Sequence, residues 1–299
     1  MRILLTGCEG QLGSYLASDL SCAGELRAVS RDSLDLTDTP ILLRELNTFR
    51  PNLIVNAAAY TNVDAAESDA AVAYAVNAVV PAVLAQWAAE NAGAIVHFST
   101  DYVFDGTCDT AYLEHDPTCP INEYGRSKLA GEEKIRGAGC AHLIIRTAWL
   151  YSARGTNFFR TILRLAAERR TLRVVDDQVG APTSAAWLSE VVSEIVNLFR
   201  NEPRNALKVR GGTINVTCAG TVSWHGFATA IVECARELGF PCAVENIEPI
   251  YYAEYPSKTA RPANSQLDLR RLSPDWNIDP IDWATALDRV LNEAANNSD

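Results

Sequence analysis

Tyr124 and Lys128, four residues apart in the segment YGRSK, are the side chains best suited to acid–base chemistry. Residues at positions i and i+4 of a helix share a face, so the two side chains should lie side by side. A free tyrosine has a pKa near ~10, and a neighbouring ammonium favours the phenolate, so we expect Lys128 to lower the pKa of Tyr124. The pair could deliver a proton to a carbonyl oxygen while a hydride reaches its carbon. The same spacing also occurs on solvated helix surfaces, so its place in the chain matters.

A hydroxyl at Thr100 could assist this chemistry. The segment Ser99-Thr100-Asp101 follows an apolar, strand-like run, and open α/β sheets bind ligands at the carboxyl ends of their strands. Thr100 could hydrogen-bond the same carbonyl oxygen as Tyr124, or it could bond only to local backbone. Thr100, Tyr124 and Lys128 are therefore the predicted catalytic residues.

Three glycines near the N-terminus have the spacing of a phosphate-binding loop. Gly7, Gly10 and Gly13 lie in GCEGQLG, between a predicted strand and a predicted helix. Glycines let the backbone turn sharply and approach a pyrophosphate, and the helix N-terminus presents free N–H groups to it. A plain tight turn is the alternative. Its position between a strand and a helix predicts a dinucleotide-binding site. At such a site Lys128 could also donate a hydrogen bond to the nicotinamide ribose.

The residues after the second predicted strand favour NADPH over NADH. An acid there would bind the 2′-hydroxyl of NAD, whereas this sequence has Ser30-Arg31, and an arginine can pair with a 2′-phosphate. Arg31 could instead be an ordinary surface residue, so NADH stays possible. Asp35 follows closely, and it could lie near the adenine or near the start of a helix.

Short β-rich runs alternate with helical stretches in the first half of the chain. The predicted strands are Ile3–Leu5, Glu25–Val29, Leu53–Asn56, Ala94–Ser99 and His142–Arg146. The predicted helices are Gln11–Leu20, Ile41–Phe49, Ala70–Ala92 and Tyr124–Arg136. This alternation predicts an α/β protein with a Rossmann-type, doubly wound parallel sheet.

The second half is less regular. Helices are predicted at Asn157–Arg169, Ser184–Phe199, Trp224–Leu238 and Trp283–Ala295, with a polar turn segment at Val175–Thr183 and a loop at Pro203–Gly212. We therefore expect a dinucleotide-binding Rossmann domain at residues 1–150. Residues 151–299 should form mainly a smaller substrate-binding α/β portion, with some segments returning to the first domain. Residues 296–299 should be frayed.

The composition of the chain limits the classes of partner that it is expected to bind. The 299 residues are 48% hydrophobic, enough for a substantial core, and the net charge of −11 argues against nucleic-acid or anionic-membrane binding. We find no apolar run of about 18 residues and no signal peptide, so the predicted location is cytoplasmic. The eight cysteines and four histidines show no metal-ligand spacing, which predicts free thiols and no metal site.

Seven motifs, in order along nearly the whole chain, closely resemble the dTDP-4-dehydrorhamnose reductase family of extended short-chain dehydrogenases. They are TGxxGQLG (6–13), NAAAYTxVDxAE (56–67), STDYVFDG (99–106), PxNxYGxSKxxGE (120–132), RTxW (146–149), DQxGAPT (177–183) and RPxNS (261–265). These motifs are more specific than the general short-chain dehydrogenase pattern.

The resemblance implies reduction of the 4-keto group of dTDP-4-dehydro-L-rhamnose by NAD(P)H. The product would be dTDP-L-rhamnose, a precursor of cell-surface polysaccharide. Tyr124 would be the proton donor, Lys128 its partner and Thr100 a fine-tuning hydroxyl. The predicted cofactor-binding residues are Gly7, Gly10, Gln11, Leu12, Gly13, Arg31, Asp35, Leu36, Ala57, Ala58, Ala59, Tyr60, Tyr124 and Lys128.

The predicted substrate-binding residues are Thr100, Asp101, Trp149, Asn157 and Arg261. The indole of Trp149 could stack on a flat ring, or it could be a partly buried residue at a strand end. Arg261 could approach the diphosphate or form a surface salt bridge, and Asn157 is the weakest of the five.

Two positions depart from the family pattern. Some members carry an acid, used in a magnesium-linked dimer, where this chain has Tyr15. We therefore predict no metal, and either a monomer or a homodimer. Some members also carry an acid at the position of Ser30, and its absence here favours NADPH.

Two alternatives remain at the level of sequence. One is another nucleotide-sugar ketoreductase or an epimerase on the same fold. The other is a non-catalytic subunit, because the regulatory beta subunit of methionine adenosyltransferase resembles this family and a fold does not determine function.

Overall fold

Six parallel strands form the central sheet of the structure, a computed structural model that describes residues 1–257 and 259–296. In chain order the strands are β1 Arg2–Thr6, β2 Glu25–Val29, β3 Leu53–Asn56, β4 Ala94–Thr100, β5 Ala141–Thr147, β6 Leu150–Tyr151, β7 Thr171–Val175, β8 Val179–Gly180, β9 Thr183–Ser184, β10 Gly212–Asn215, β11 Val222–Ser223 and β12 Asn246–Ile250. Across the sheet the order is β10, β5, β4, β3, β1, β2, and each neighbouring pair is parallel. The predicted Rossmann-type parallel sheet is confirmed.

Helices cover both faces of this sheet. In chain order they are α1 Gly13–Asp19, α2 Thr39–Phe49, α3 Val63–Ala66, α4 Ala70–Tyr74, α5 Val80–Glu90, α6 Glu123–Gly137, α7 Phe158–Glu168, α8 Ala185–Leu198, α9 Pro203–Arg210, α10 Trp224–Glu237, α11 Leu272–Trp276 and α12 Trp283–Asn296. Because side chains alternate along a strand, Ile3 and Leu5 pack against α1 and α8, whereas Leu4 packs towards α2, α5 and α6. The chain order reverses between β1 and β3, and ligands of such sheets bind outside the strand ends at that point.

One predicted helix is interrupted. The stretch Ala70–Glu90 contains a π-helical turn, Ala75–Val79, between α4 and α5. By length and composition this stretch could cross a membrane, with a mean hydropathy of 1.5, so our expectation of no such run is wrong on those criteria. Leu84 and Ala85 are nevertheless fully buried in the core beside the central sheet. A partly buried core helix passes the same test, so it is weak evidence for a membrane span.

The chain beyond residue 150 builds a second, smaller core and also returns to the sheet. β7 and β12 form a parallel pair, and α7, α10 and α12 pack beside them around Phe159, Phe227 and Leu291. β10 adds an edge strand beside β5, and α8 packs near α1. The division near residue 150 stays a prediction. Asn296 ends α12, and the other residues expected to be frayed lie outside the described ones.

The predicted loop Pro203–Gly212 is wrong, because its residues form α9 and the start of β10. Pro203 occupies the first helical position, where a missing backbone N–H costs nothing. The helix predicted at Gln11–Leu20 begins only at Gly13, and its last residue, Leu20, starts a 3₁₀ turn that ends at Cys22. The other predicted helices and strands agree with the structure to within a few residues.

A buried ion pair ties α6 to β5. Arg146 is 2% exposed and Glu132 is 0% exposed. Their side chains form two hydrogen bonds, from Nε to Oε1 at 2.9 Å and from Nη2 to Oε2 at 2.7 Å. Burial alone would raise the pKa of Glu132, but the hydrogen bonds and charge of Arg146 hold that pKa below its usual value. The helix α6, which contains Tyr124 and Lys128, therefore has a fixed place against the sheet.

We expect Arg146→Met to destabilise the fold by about 3–5 kcal/mol, because it leaves the carboxylate of Glu132 buried without its partner. Urea unfolding measures this loss. Arg164→Met is the matched control, since it removes an exposed helical pair with Glu168 worth roughly 0.5 kcal/mol. Equal losses in the two variants would show that the buried pair does not fix α6.

Candidate active site

The glycine loop is shaped by close backbone contacts. Gly7 has φ +70°, a conformation that favours glycine, and a Cβ there would lie 2.7 Å from the backbone nitrogen of Ala58. A Cβ on Gly13 would lie 1.9 Å from the carbonyl oxygen of Gly7. Only glycine fits these two positions without movement of the backbone. Gly10 is less constrained, since its Cβ would lie 3.2 Å from that same oxygen.

The neighbouring predicted cofactor residues meet this loop from two sides. Leu12 is buried and precedes α1, and Gln11 accepts a hydrogen bond from Ser152 at 3.3 Å. Ala57 donates its backbone N–H to the carbonyl oxygen of Thr6 at 3.3 Å, which holds the segment after β3 beside the end of β1. The segments 7–13 and 57–59 thus lie side by side at the switch point of the sheet.

Asn77, which the sequence analysis did not single out, connects the predicted cofactor segment to α6. It is 1% exposed and lies in the π-helical turn. Its Oδ1 accepts the backbone N–H of Tyr60 at 2.9 Å, and its Nδ2 donates to the Tyr60 carbonyl and to Ser127 Oγ, each at 3.0 Å. The π-helical turn is the available signal, because such turns often mark functional sites.

Arg31, Asp35 and Leu36 follow the end of β2. Arg31 is exposed, and Asp35 accepts two hydrogen bonds from Thr37, from its backbone N–H at 2.9 Å and from its hydroxyl at 2.6 Å. These hydrogen bonds, together with the nearby charge of Arg31, hold the pKa of Asp35 below its usual value. Leu36 is half-buried against the core. The carboxylate of Asp35 is thus engaged in a turn, while the guanidinium of Arg31 is open to solvent.

Tyr124 stands in the first turn of α6. Asn122 caps this helix by accepting the backbone N–H of Gly125 at 2.8 Å, and it also donates to the carbonyl oxygen of Ala260 at 2.9 Å. A Cβ on Gly125 would lie 2.1 Å from the carbonyl oxygen of Tyr102, so α6 begins tightly against the turn after β4. The hydroxyl of Thr100 acts on the phenol of Tyr124 and lowers its pKa, so these two predicted catalytic residues lie near each other.

Lys128 lies one turn further along α6 and is 2% exposed. Its Nζ donates to the carbonyl oxygen of Phe98 at 2.6 Å. Burial lowers its pKa to about 8, although the charge of Glu132 acts in the opposite direction. A buried ammonium close to the end of β4 is thereby held by backbone and by a nearby carboxylate.

The expectation that Lys128 lowers the pKa of Tyr124 is wrong for this arrangement. Burial and the nearby carboxylate of Asp101 raise the pKa of Tyr124 to about 12, while the hydrogen bond with Thr100 opposes them. The ammonium of Lys128 is directed to the Phe98 carbonyl. The phenol therefore stays protonated at neutral pH, which is the state that a proton donor requires.

A buried row of polar side chains runs from β1 to β4 beside Lys128. Thr6 donates to Asn56 Oδ1 at 2.7 Å, so the Asn56 amide nitrogen donates to His97 Nδ1 at 3.0 Å. Burial, and then the charge of Lys128, lower the pKa of His97 well below its usual value. His97 is thus a neutral core histidine and not a free base.

Asp101 is buried at the end of β4. Its Oδ1 accepts a hydrogen bond from Thr100 at 3.0 Å. Burial raises its pKa to about 6, against the opposing hydrogen bonds from Ser265 and Thr100. The predicted substrate-binding carboxyl group therefore lies next to the phenol of Tyr124, within the same hydrogen-bonded cluster.

The other predicted substrate residues lie at the rim of the site. Trp149 follows the end of β5, and its ring stacks on Trp224 at 3.5 Å between centroids. Asn157 caps α7, accepting the Arg160 N–H at 3.0 Å and donating to the carbonyls of Ser152 and Arg154 at 3.0 Å. The side-chain amide of Asn157 is thus engaged within its own segment and has no free N–H group. Its role in substrate binding stays a prediction.

Arg261 pairs with Asp64, with its Nη2 3.1 Å from both carboxylate oxygens. Of the two roles considered for Arg261, the structure shows the salt bridge. Its partner, Asp64, lies on the segment that follows β3. The Nε atom of Arg261 is buried and has no partner in residues 1–257 and 259–296. This N–H group is therefore a buried donor that the described residues leave unsatisfied.

Tyr15, where some relatives carry an acid, makes contacts inside its own chain. Its hydroxyl donates to both oxygens of Glu293, at 2.7 and 2.9 Å, and Arg154 lies over its ring at 4.7 Å. The eight cysteines are free thiols. Within the described residues no group of histidine, cysteine and acidic side chains is placed to hold a metal ion.

The family model described as "RmlD substrate binding domain" matches residues 1–296. A curated relative from Burkholderia thailandensis, named dTDP-4-dehydrorhamnose reductase, is 45% identical over 289 residues, covering 96% of this chain and 97% of the relative.

Two solved structures with the same name have closely similar folds. One, from Clostridium acetobutylicum, superposes with a TM-score of 0.89 at 33% identity, covering 98% of this chain and 99% of the other. The second, from Bacillus anthracis and solved in complex with NADP, gives a TM-score of 0.88 at 32% identity with the same coverage. The chain therefore belongs to the RmlD substrate-binding domain family, and the curated relative and the two solved structures described here are named dTDP-4-dehydrorhamnose reductase.

Proposed function

We propose that this protein reduces the 4-keto group of dTDP-4-dehydro-L-rhamnose with NADPH, giving dTDP-L-rhamnose. The observation that carries the proposal is the cluster of Thr100, Tyr124 and Lys128 at the carboxyl end of β4, beside the glycine loop. The names of the matched relatives supply the sugar nucleotide, and the NADP in the Bacillus anthracis structure supports the cofactor.

The residues of the glycine loop fit a dinucleotide. At Gly7 and Gly13 any side chain would clash with the backbone that shapes the loop, and α1 follows this loop directly, in the order of strand, glycine loop and helix that binds a pyrophosphate. Arg31 is exposed at the end of β2, where a 2′-phosphate would meet it. Bound NADPH supplies the hydride. NADH stays possible, because the preference for NADPH rests on Arg31 and on the missing acid at Ser30.

In the proposed mechanism Tyr124 donates its phenolic proton to the carbonyl oxygen as the hydride reaches the carbon. The raised pKa keeps the proton on Tyr124 before reaction. The hydroxyl of Thr100, which donates to Asp101 in this structure, would turn to donate to the same carbonyl oxygen and orient it. Lys128, whose ammonium is held at the Phe98 carbonyl one helical turn from Tyr124, would stabilise the phenolate that forms as the proton leaves.

The proposal also covers the partners, the oligomeric state and the location of the protein. The only partner we assign is the nucleotide-sugar substrate, with neither nucleic acid nor a membrane. The proposed oligomeric state is a monomer or a homodimer, and the proposed location is cytoplasmic. An assay that follows NADPH oxidation with several dTDP-4-keto sugars distinguishes this reductase from an epimerase, which consumes no cofactor, and from a non-catalytic subunit, which turns over none of the sugars.

Tyr124→Phe should reduce kcat by about 10²–10⁴-fold, because it removes the proton donor and leaves the ring in place. NADPH binding, followed by fluorescence titration, should be unchanged. Tyr102→Phe is the matched control, since this ring lies 5.7 Å from that of Tyr124 and should keep near wild-type kcat. A Tyr124→Phe variant with wild-type kcat would exclude Tyr124 as the donor.

The rate of reduction should fall on the alkaline side at about pH 8. Lys128 carries its charge below its pKa of about 8 and loses it above that value, so its support of the phenolate is lost as the pH rises. The profile of kcat/KM against pH, which reports ionisations of the free enzyme, measures this. In Lys128→Arg the side chain stays charged, so the limb near pH 8 should disappear. A limb that persists there belongs to another group.

Arg31→Ala should raise KM for NADPH by about tenfold or more and leave KM for NADH unchanged, because one charge-assisted hydrogen bond to a phosphate is lost. Steady-state kinetics with both cofactors measure the ratio. Arg44→Ala, another exposed arginine, on α2, is the control. If the NADPH/NADH ratio is the same in all three proteins, Arg31 does not read the 2′-phosphate.

A further inference from the structure

Three polar side chains lie at one level across the central sheet. Thr6 of β1, Asn56 of β3 and His97 of β4 are register partners on adjacent strands. All three are buried, and His97 is 0% exposed. The next strand, β5, has the apolar Ile144 at the same level. Within the sheet the polar row therefore ends at His97.

The hydrogen bonds of this row run in one direction. The hydroxyl of Thr6 donates to Asn56 Oδ1 at 2.7 Å, which leaves the Asn56 amide nitrogen to donate to His97 Nδ1 at 3.0 Å. A neutral imidazole that accepts a hydrogen bond at one nitrogen carries its proton on the other. The row therefore fixes the tautomer of His97, with the proton on Nε2.

The Nε2–H group of His97 is buried and has no acceptor among residues 1–257 and 259–296. An unpaired buried donor costs free energy, so nearly all such groups in folded proteins bond to protein or to an ordered water. Because side chains alternate along β4, His97 shares its face with Ile95, which packs in the same core as Ile135 of α6. Nε2 lies farther from the backbone than Nδ1, so this donor is directed towards the helices above the sheet.

The charged group beside this donor is Lys128 of α6. Its charge lowers the pKa of His97, and its Nζ donates to the carbonyl oxygen of Phe98, the next residue of β4. An ammonium carries three N–H groups, and the bond to Phe98 uses one of them. Two donors that lie close together in a buried place need an acceptor between them.

A water molecule has the chemistry that these donors require. Its oxygen can accept one hydrogen bond from each nitrogen, and its own O–H groups can donate to oxygen atoms nearby. Ser99, two residues after His97 on the same face of β4, has a buried hydroxyl oxygen that can accept one of them. An anion is disfavoured here, because the carboxylate of Glu132 acts on the same ammonium.

We propose that one internal water molecule links His97 Nε2 to the ammonium of Lys128, and that His97 is thereby a positioning residue for Lys128. Thr6 directly precedes Gly7, and Asn56 directly precedes Ala57, so the same row ties the candidate cofactor segments to this lysine. The water site rests on the buried row alone, whereas its effect on turnover rests on the proposed function.

A high-resolution crystal structure of the protein without ligands tests the water site. It should show an ordered solvent oxygen about 2.7–3.2 Å from both His97 Nε2 and Lys128 Nζ. His97→Phe, which keeps a ring but has no N–H group, should lack this oxygen. A wild-type structure without a bridging oxygen would overturn the proposal, and so would one that remains in His97→Phe.

The effect on Lys128 can be measured without turnover. A water oxygen that accepts from the ammonium favours its charged form, so His97→Phe should lower the pKa of Lys128 from about 8 by roughly one unit. The chain has four lysines, so isotope-labelled lysine gives few NMR signals to titrate, and Lys128→Arg identifies the relevant one.

The change at His97 leaves the other titratable groups around this ammonium in place. They are Tyr124 and Glu132 on α6, Asp101 at the end of β4, and Arg146 on β5, which pairs with Glu132. A wild-type pKa of Lys128 in His97→Phe, even with a lower stability, would show that His97 only fills the core.

His97→Gln and His142→Phe are the controls. Glutamine has both an acceptor and a donor at the end of its side chain, so His97→Gln should restore the bridging oxygen and the pKa of Lys128. His142 on β5 bonds instead to the carbonyl oxygen of Cys140 at 2.9 Å, so replacing it should change neither. Failure of His97→Gln to restore either property would contradict the proposed contact.

Thr6→Val keeps the test open if His97→Phe does not fold. Valine has the shape of threonine without its hydroxyl, so the Asn56 amide could then turn over and accept or donate towards His97. The nitrogen chemical shifts of His97 should change from a single Nε2–H tautomer to a mixture. An unchanged tautomer would show that the row does not orient His97.

Turnover separates this inference from the proposed function. If the protein reduces the keto sugar, the alkaline limb of kcat/KM should move to lower pH in His97→Phe and return in His97→Gln, because the ammonium of Lys128 is then lost at lower pH. An active protein whose limb does not move would overturn the positioning role alone. A protein that shows the bridging water and the lowered pKa, yet reduces no keto sugar, would overturn the proposed function and leave the water site standing.

Discussion

The pairing of Arg146 with Glu132 is the interaction on which the arrangement of the candidate site depends. Two charges removed from water are tolerated only when each satisfies the other, so α6 can dock on β5 in one position. That position sets where Tyr124 and Lys128 stand relative to the end of β4. It also links them to the residues that follow β5, among them Trp149. One buried pair thus connects the proton donor with a predicted substrate-binding residue.

Much of the fold could be predicted because its signals are local. Strands β1 to β5 are short apolar runs bounded by turns, and each is followed by a segment with helical composition. β10 could not be found this way, since four residues, GTIN, form a strand only because β5 offers them an open edge. α9 was missed for a related reason. Its proline was taken as a loop signal, although a first helical turn accepts proline without cost.

In the candidate site, too, some features could be predicted from local sequence and others could not. Spacing together with position in the chain indicated Tyr124 with Lys128, and the glycine loop, because those residues act through neighbours close in sequence. The pKa of Tyr124 could not be foreseen, since it depends on burial and on the carboxyl group of Asp101. The stacking of Trp149 on Trp224 could not be foreseen either, because the two residues are distant in sequence and meet only in the fold.

The π-helical turn around Asn77 has a consequence for how this chain tolerates change in length. Such a turn accommodates one more residue than an α-helix would, so the helix after it is rotated by about 100° relative to an uninterrupted one. Deleting one residue there would restore a regular helix and would keep its composition. It would also turn Asn77 away from Tyr60 and Ser127, and so separate the cofactor segment from α6. In this helix, single-residue gaps between related proteins should therefore be rarer than substitutions.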